Sequence, residues 1–393
     1  MKKDTLIYFY SALHALYWMS YGCIVAFTTV FLLDHGFSNG GIGTLIAVSS
    51  LLSVLLQPII AGAADKGNQF TVKRVFMLLS LGQIIPLILL AVWKPPMVLV
   101  ALLYSFLILL QLSMQPLLSA LGVQLIQNDI PLNFGVARGI GSFSFAILTF
   151  FLGSLTVVFS TRCLPLIACG LNLLILFLIH KFPEMGSNQS HNITQGGTIA
   201  LLKCNPSFAL LIIGIAFIFA SHSSINTYMI HILKRIGKGN AELGQIMAYI
   251  ALLEVPAMLL CTRLIRKWNC GKLLRFAAIF FVIKAIGITL STNLATLYVA
   301  VSFQAISFAP FTAAIVYYVS SVLPRHDQVK GQALITIGLT IGNILGSLGG
   351  GYILQYFHIG FMLWLFAGLC LVGMVFFLWG AQNTTNNDMH CAT

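Results

Sequence analysis

The segment Pro96–Leu121, PMVLVALLYSFLILLQLSMQPLLSAL, contains 26 residues and no charged side chain. An α-helix rises about 1.5 Å per residue, so about 20 apolar residues cross the hydrocarbon core of a bilayer. Strands of a transmembrane barrel would be about 10 residues long and would alternate apolar with polar side chains, and this segment does neither. It therefore predicts a transmembrane helix.

The composition of the whole chain extends this prediction. Of 393 residues, 59% are hydrophobic and 8% are charged, whereas soluble proteins average about 25% charged residues. The formal net charge of +12 comes from basic residues scattered between apolar runs, so it does not indicate a nucleic-acid partner. The eight cysteines show no C-x-x-C spacing, and no metal-binding or phosphate-loop motif is present, so no cofactor is expected. The sequence predicts a multi-pass membrane protein with the lipid bilayer as its surroundings, not an enzyme.

Apolar runs between polar breaks predict twelve spans. They lie near 5–33, 40–64, 73–93, 96–121, 136–159, 162–181, 206–233, 241–265, 272–292, 294–323, 331–355 and 358–380. The longest break divides them six and six, which is a common plan among transporters. We therefore expect an all-α membrane protein with a six-helix bundle at 1–181, a cytoplasmic linker at 182–206 and a second six-helix bundle with a short tail at 207–393.

The distribution of Lys and Arg predicts the orientation, because cytoplasmic loops are enriched in them. If the N-terminus is cytoplasmic, fourteen basic residues face the cytoplasm: Lys2, Lys3, Lys66, Lys73, Arg74, Lys181, Lys203, Arg263, Arg266, Lys267, Lys272, Arg275, Arg325 and Lys330. Five face the other side: Lys94, Arg162, Lys234, Arg235 and Lys238. The asymmetry predicts that both termini are cytoplasmic, as in a plasma-membrane (bacterial inner-membrane) protein.

Charged residues inside a membrane are costly and usually functional. Among the nine acidic residues, only Glu254 maps to the middle of a predicted span, and Lys284 is the matching deep basic residue on the next one. Glu254 precedes Arg266 by twelve residues and Lys284 follows Lys272 by twelve. Each therefore lies about 18 Å along its helix from the same cytoplasmic turn. Two interpretations stay open, a static ion pair and a site that binds substrate or couples protons.

Other polar residues within the spans are candidates for solute contacts or for hydrogen bonds between helices. They are His14, Tyr17, Trp18, Tyr21, Gln57, Gln83, Gln111, Gln115, His222, Asn226, Tyr228 and Gln304. As a set of amides, aromatic rings and histidines they suit a hydroxylated or ring-bearing solute. Small residues at Gly338, Gly342 and Gly346 share one face of the eleventh span and predict close helix packing.

Several stretches resemble the major facilitator superfamily. Phe31-Leu-Leu-Asp-His-Gly36, followed by Leu55-Leu-Gln-Pro58 and Ala64-Asp-Lys66, is similar to the first hairpin of its oligosaccharide:proton symporter (lactose permease-like) branch. Asn133–Ser142 resembles the entry to span five of that branch. Glu254-Val-Pro256 is similar to an acid-aliphatic-proline motif in nucleoside and phenylpropionate permeases. The resemblance covers essentially the whole chain.

The resemblance implies roles for particular residues. Arg138 matches an arginine that binds sugar hydroxyls, and Phe145 matches the tryptophan on which the sugar ring stacks. Lys284 falls at the arginine of span nine. The acid and bases of the cytoplasmic loop motif, which gates the conformational change, correspond to Asp65, Lys66, Lys73 and Arg74.

The sequence also departs from the branch. Ser119 replaces the acid that pairs with the sugar-site arginine, and Gln304 and Ser307 replace the histidine and glutamate of proton coupling. Glu254 is then the remaining mid-membrane carboxyl, so we expect it to couple protons together with Lys284. Trp18, Arg138, Phe145, His222, Asn226 and Gln304 are the expected substrate contacts.

These residues favour a monomeric secondary transporter that moves a sugar, an oligosaccharide or a nucleoside-like solute by alternating access, with protons as a second partner. Two alternatives stay open. One is a proton-driven exporter of amphipathic or aromatic compounds on the same fold, and the other is a membrane protein that transports nothing.

Overall fold

A computed structural model describes residues 3–65, 71–184, 198–264, 269–324 and 327–381. Throughout these ranges the regular elements are helices. The chain forms two compact units, one of Met1–His191 with Gly237–Leu252 and one of Asn192–Ile236 with Leu253–Thr393. The middle of the predicted linker at 182–206, residues 185–197, lies outside the described residues. The predicted domain boundaries stay a prediction.

The first unit contains seven α-helices and one π-helical turn. They are α1 (Lys3–Tyr21), the π-helical turn (Gly22–Ala26), α2 (Thr28–Asp34), α3 (Asn39–Asp65), α4 (Val72–Val92), α5 (Met97–Gln127), α6 (Phe134–Phe159) and α7 (Cys163–Lys181).

The remaining helices belong to the second unit, except that α11 begins in the first. They are α8 (Thr198–Cys204), α9 (Pro206–Thr227), α10 (Met229–Arg235), α11 (Asn240–Leu264), α12 (Cys270–Leu290), α13 (Leu294–Ser302), α14 (Gln304–Val322), α15 (Gln328–Tyr356) and α16 (Ile359–Gly380).

The helices confirm the predicted fold class. Among the described residues, ten spans are long and apolar enough to cross a membrane, or eleven if α1 and α2 form one bent span. Helix α11 occupies the place of the one predicted span outside that count. Three of the predicted spans, 5–33, 206–233 and 294–323, contain a break in the helix, at Gly22–Phe27, Tyr228 and Phe303 respectively. Despite its break, Leu294–Val322 still counts as one span.

The break in the first span has a local cause. A π-helical turn at Gly22–Ala26 inserts an extra residue into the hydrogen-bond ladder, and the two parts of the span meet at an angle of 44°. Side chains take over the displaced carbonyl of Ile24, which accepts hydrogen bonds from the hydroxyls of Thr28 and Tyr104, each at 2.8 Å. The carbonyl displaced at the kink is therefore hydrogen-bonded, and the kink forms without a proline.

Buried polar side chains join the helices of the first unit. Asn172 Nδ2 donates to Ser20 Oγ at 3.0 Å, and Ser80 Oγ donates to Asn172 Oδ1 at 3.1 Å. Tyr17 Oη donates to the carbonyl of Gln111 at 2.9 Å. In a bilayer such bonds hold helices together, so Tyr17 and Gln111 serve packing.

In the second unit, α15 lies directly on α9. A Cβ atom added at Gly342 would lie 2.7 Å from the carbonyl oxygen of Ala216, and one at Gly346 would lie 2.3 Å from that of Ala220. These distances are too short for any side chain, so the glycine face predicted from the sequence is confirmed as a close helix contact.

Candidate functional site

A hydrogen-bonded chain of side chains runs through the second unit. Lys284, only 3% exposed, donates from Nζ to Gln304 Oε1 at 2.7 Å and lies 2.9 Å from His222 Nδ1. The other ring nitrogen of His222, Nε2, lies 3.0 Å from Asn226 Nδ2. Three helices, α9, α12 and α14, thus converge on one buried ammonium group.

Gln304 extends this chain to the acid of α11. Its Nε2 donates to Glu254 Oε1 at 3.0 Å, while its Oε1 accepts from Lys284. A primary amide donates through nitrogen and accepts through oxygen, so it can bridge a carboxylate and an ammonium. The structure therefore joins Glu254 and Lys284, which the sequence placed at similar depth, through Gln304.

Aromatic rings enclose the buried end of the chain. The His222 ring stacks on Phe308 with ring centres 5.1 Å apart and meets Phe281 edge-on at 5.7 Å. The Lys284 ammonium lies 5.0 Å from the centre of the Phe281 ring, a distance at which a cation and an aromatic face attract. Both ring nitrogens of His222 have protein partners, so a solute would reach His222 only by displacing one of them.

In the first unit, Arg138 lies on Trp18. The guanidinium carbon of Arg138 is 3.9 Å from the centre of the indole ring, in cation–π geometry. Helix α6 comes close enough for this contact because of Gly141, where an added Cβ would lie 2.6 Å from Trp18 Cδ1. Two sequence-predicted contacts, on α1 and α6, thus form one stacked pair, in which Arg138 is partly exposed as a residue while its Nη1 atom is buried.

Phe145 follows two turns later on the same helix. Its ring lies over Gly22, where an added Cβ would be 3.5 Å from the ring carbons. The ring is half-buried and packs on a small cluster of Ala146, Ala248 and Ala251. The Phe145 side chain therefore remains partly accessible.

The predicted gating motif is described in part. Lys66 and the side chain of Asp65 lie outside the described residues. Lys73 Nζ donates to the carbonyl of His180 at 3.0 Å, and Arg74 donates two hydrogen bonds to the Glu184 carboxylate, at 2.8 and 3.0 Å. The Arg74 hydrogen bonds hold the pKa of the exposed Glu184 carboxyl below its usual value. The basic half of the motif thus ties the start of α4 to the end of α7.

His14 was a polar candidate in the sequence but was not among the expected substrate contacts. His14 is 3% exposed, and its Nε2 lies 3.0 Å from the hydroxyl of Tyr10, whose ring lies 4.9 Å away. Its spacing of four residues from Trp18 was the available signal, since residues four apart share a helix face. No group of three or more His, Cys, Asp or Glu side chains suited to a metal occurs within the described part of the chain.

A protein-family model described as "MFS_1 like family" matches residues 7–366. An uncharacterized transporter of Bacillus subtilis (strain 168), YwbF, is 22% identical over 374 residues, covering 93% of this chain and 91% of that protein. Maltose permease of Geobacillus stearothermophilus is 24% identical over 381 residues, covering 92% of this chain and 91% of the permease.

Solved structures share the fold. The crystal structure of nucleoside transporter NupG superposes with a TM-score of 0.79 at 15% identity, covering 96% of this chain and 98% of the transporter. The inward-open xylose transporter XylE from E. coli superposes with a TM-score of 0.69 at 14% identity, covering 96% of each chain. At these identities the likeness shows the fold alone.

Proposed function

The chain belongs to the MFS_1 like family of membrane transporters, which are not enzymes, and from this premise we propose that it imports a hydroxylated solute together with protons. The solute class is a sugar, an oligosaccharide or a nucleoside. The carrier works by alternating access as a monomer in the bacterial plasma membrane, with both termini cytoplasmic.

The polar and aromatic groups of both units support this solute class. Arg138 carries five N–H donors in a planar fork that can reach two neighbouring hydroxyl groups. Trp18 and Phe145 supply aromatic surface for a sugar ring or a base, and His222, Asn226 and Gln304 supply further hydrogen-bonding groups. Relatives named as a maltose permease and a nucleoside transporter are consistent with solutes of this kind.

The bridge from Glu254 through Gln304 to Lys284 carries the coupling proposal. The Glu254 carboxylate accepts a hydrogen bond from the Gln304 amide, and that amide also binds the Lys284 ammonium. A solute that takes over the amide removes one hydrogen-bond donor from the Glu254 carboxylate. Losing a hydrogen bond makes an ionised carboxylate inside the membrane more costly, so Glu254 takes up a proton as the solute binds. Joint binding of solute and proton is the requirement for symport.

The test replaces Glu254 by its uncharged isostere and uses radiolabelled maltose and uridine as probes. Glu254→Gln is expected to keep binding and equilibrium exchange but to lose accumulation against a gradient, because the amide has no proton to exchange. Glu242→Gln is the matched control, since Glu242 lies in the first turn of the same helix and accepts a hydrogen bond from the Gly239 backbone. The control should accumulate solute like the wild type.

The readouts are uptake into energised vesicles and the pH of the medium, which should rise during symport. If Glu254→Gln still concentrates the probe, Glu254 is not the coupling residue. If the wild type instead expels the compound on energisation, the protein is a proton-driven exporter and the import proposal is wrong.

A further inference from the structure

Two buried polar atoms on α1 lack hydrogen-bond partners within the described residues. They are Nδ1 of His14 and Nε1 of Trp18. Buried polar atoms are nearly always paired with protein or water, and an unpaired one is costly. Two such atoms four residues apart, on one face of a helix, therefore indicate a place that a ligand completes.

The hydrogen bonds of Tyr10 determine which kind of atom His14 presents. Tyr10 Oη donates its single proton to the carbonyl of Leu118 at 3.1 Å. The contact between Tyr10 Oη and His14 Nε2, at 3.0 Å, must then be donated by the ring nitrogen. A neutral imidazole has one N–H group, so Nδ1 of His14 carries a lone pair and accepts. Trp18 Nε1 can only donate.

A hydroxyl group fits this pair of atoms. It donates one hydrogen bond, which His14 Nδ1 accepts, and it accepts others, one of which Trp18 Nε1 donates. An ionised carboxylate has no proton for His14 Nδ1, and an unsubstituted aromatic ring meets neither requirement. The chemistry selects a neutral hydroxylated solute.

The surroundings fix the pair in place. Gly141 of α6 leaves room for the indole, since a Cβ there would lie 2.6 Å from Trp18 Cδ1 and 3.3 Å from the carbonyl of His14. Phe134 meets the His14 ring edge-on, with ring centres 5.8 Å apart. The Arg138 guanidinium covers the indole, so a solute that engages Arg138 arrives beside Trp18.

We propose that His14 and Trp18 bracket a single hydroxyl group of the transported solute and so determine its specificity. The inference rests on the proposed function and deepens it, because it assigns a hydroxyl-reading pair to α1. Both atoms are covered in this structure, so the hydroxyl enters as Arg138 moves aside to meet the solute. Each orphaned atom then gains a partner, which favours the bound state.

The test pairs protein variants with ligand analogues. Binding of maltose and uridine, and of the monodeoxy analogues of whichever is bound, is measured for the wild type, Trp18→Phe, His14→Phe and His14→Gln. Trp18→Phe and His14→Phe should each weaken binding of the parent compound about tenfold, the usual effect of one hydrogen bond. For one monodeoxy analogue, the same in both variants, the affinity should equal that of the wild type for that analogue. His14→Gln should restore part of the affinity, since its amide oxygen accepts.

Trp93→Phe is the matched control, because Trp93 is half-exposed at the end of α4 in the same unit. Melting temperatures confirm that each variant is folded, and either His14 variant tests the proposal if Trp18→Phe fails to fold. If the ratio of parent affinity to deoxy affinity is the same in all variants, water alone fills the space between His14 and Trp18, and the proposal is wrong. It is also wrong if the His14 and Trp18 variants lose their effect with two different deoxy analogues. If the wild type binds neither maltose nor uridine, the proposed function is wrong as well. If it binds one of them and only the expected variant effects are missing, the His14–Trp18 proposal alone is wrong.

Discussion

At the scale of the residue, Gln304 shows how one amide can serve two opposite charges. An amide side chain in a transmembrane helix usually forms a hydrogen bond to another helix. The residues next to Gln304 in the sequence are apolar or small, so they give no sign of a further role. In the structure its oxygen faces the Lys284 ammonium and its nitrogen faces the Glu254 carboxylate. The resemblance to the lactose permease-like branch aligns Gln304 with a histidine, and the amide here links the two charges without titrating.

This arrangement predicts the effect of removing the amide. Gln304→Met preserves the length of the side chain but removes one acceptor from Lys284 and one donor from Glu254. The free energy of unfolding should fall by about 3 kcal/mol, the usual effect of breaking a buried charged interaction. Melting in detergent measures this, and Gln332→Met, at a partly exposed amide of α15, is the matched control.

A double-mutant cycle tests the reason. In a Lys284→Met background the same substitution at Gln304 should be clearly milder, since the ammonium that needed the acceptor is gone. An equal loss in both backgrounds would show that Gln304 acts by packing and does not stabilise Lys284.

The residues that could be predicted from the sequence are the charged ones. Glu254 and Lys284 stand out because a charge in an apolar run is rare, and the helical rise places them at one depth. The role of Gln304 between them depends on how α14 packs against α11 and α12, which no local pattern shows. The sequence could not predict that Nδ1 of His14 is a hydrogen-bond acceptor, because this depends on which atom receives the hydroxyl proton of Tyr10.

At the scale of the element, the sequence predicted the close packing at the glycines of α15 but not the interruptions of the helices. Gly342 and Gly346 recur every four residues, and this spacing permits close approach of another helix. The π-helical turn at Gly22–Ala26 arises where Thr28 and Tyr104 satisfy a displaced carbonyl. Tyr104 belongs to α5, so this interruption depends on a residue far away in the sequence. The local pattern therefore predicted one continuous helix for the first span.

The close contact between α15 and α9 predicts a steep penalty for a small change. A methyl group at Gly346 would meet the Ala220 carbonyl at 2.3 Å and Ser223 Cβ at 2.9 Å, and backbone atoms cannot move aside locally. Gly346→Ala should therefore lower the free energy of unfolding by about 1–3 kcal/mol, the range for overpacking.

Gly368→Ala is the control for this prediction, because it makes the same change in a helix where no atom lies within 4 Å of the added Cβ. It should be neutral or slightly stabilising, since alanine favours helix over glycine. Equal melting temperatures for the two variants would contradict the close contact.

At the scale of the whole molecule, helix ends within the first unit meet as an up-and-down bundle requires. Lys3 Nζ donates to the carbonyl of Asp129 at 2.8 Å, and Lys73 reaches His180 in the same way. At the opposite ends of the helices, Thr161 hydrogen-bonds to Asp34. These contacts agree with the alternation of spans read from the sequence. The charge asymmetry then adds a direction that the fold alone does not contain.

The orientation predicts a difference between two exposed lysines. Lys94 follows α4 and Lys203 lies in α8, and both are exposed. Three predicted spans, 96–121, 136–159 and 162–181, separate them. Because three is an odd number, a cytoplasmic N-terminus places Lys94 outside and Lys203 inside. In a cysteine-free background, a membrane-impermeant maleimide should label Lys94→Cys in intact cells and Lys203→Cys only after permeabilisation. Each substitution removes one positive charge, leaving thirteen against five or fourteen against four, so neither reverses the bias that sets the topology. Labelling of Lys203→Cys in intact cells, with Lys94→Cys protected, would invert the assignment and place both termini outside.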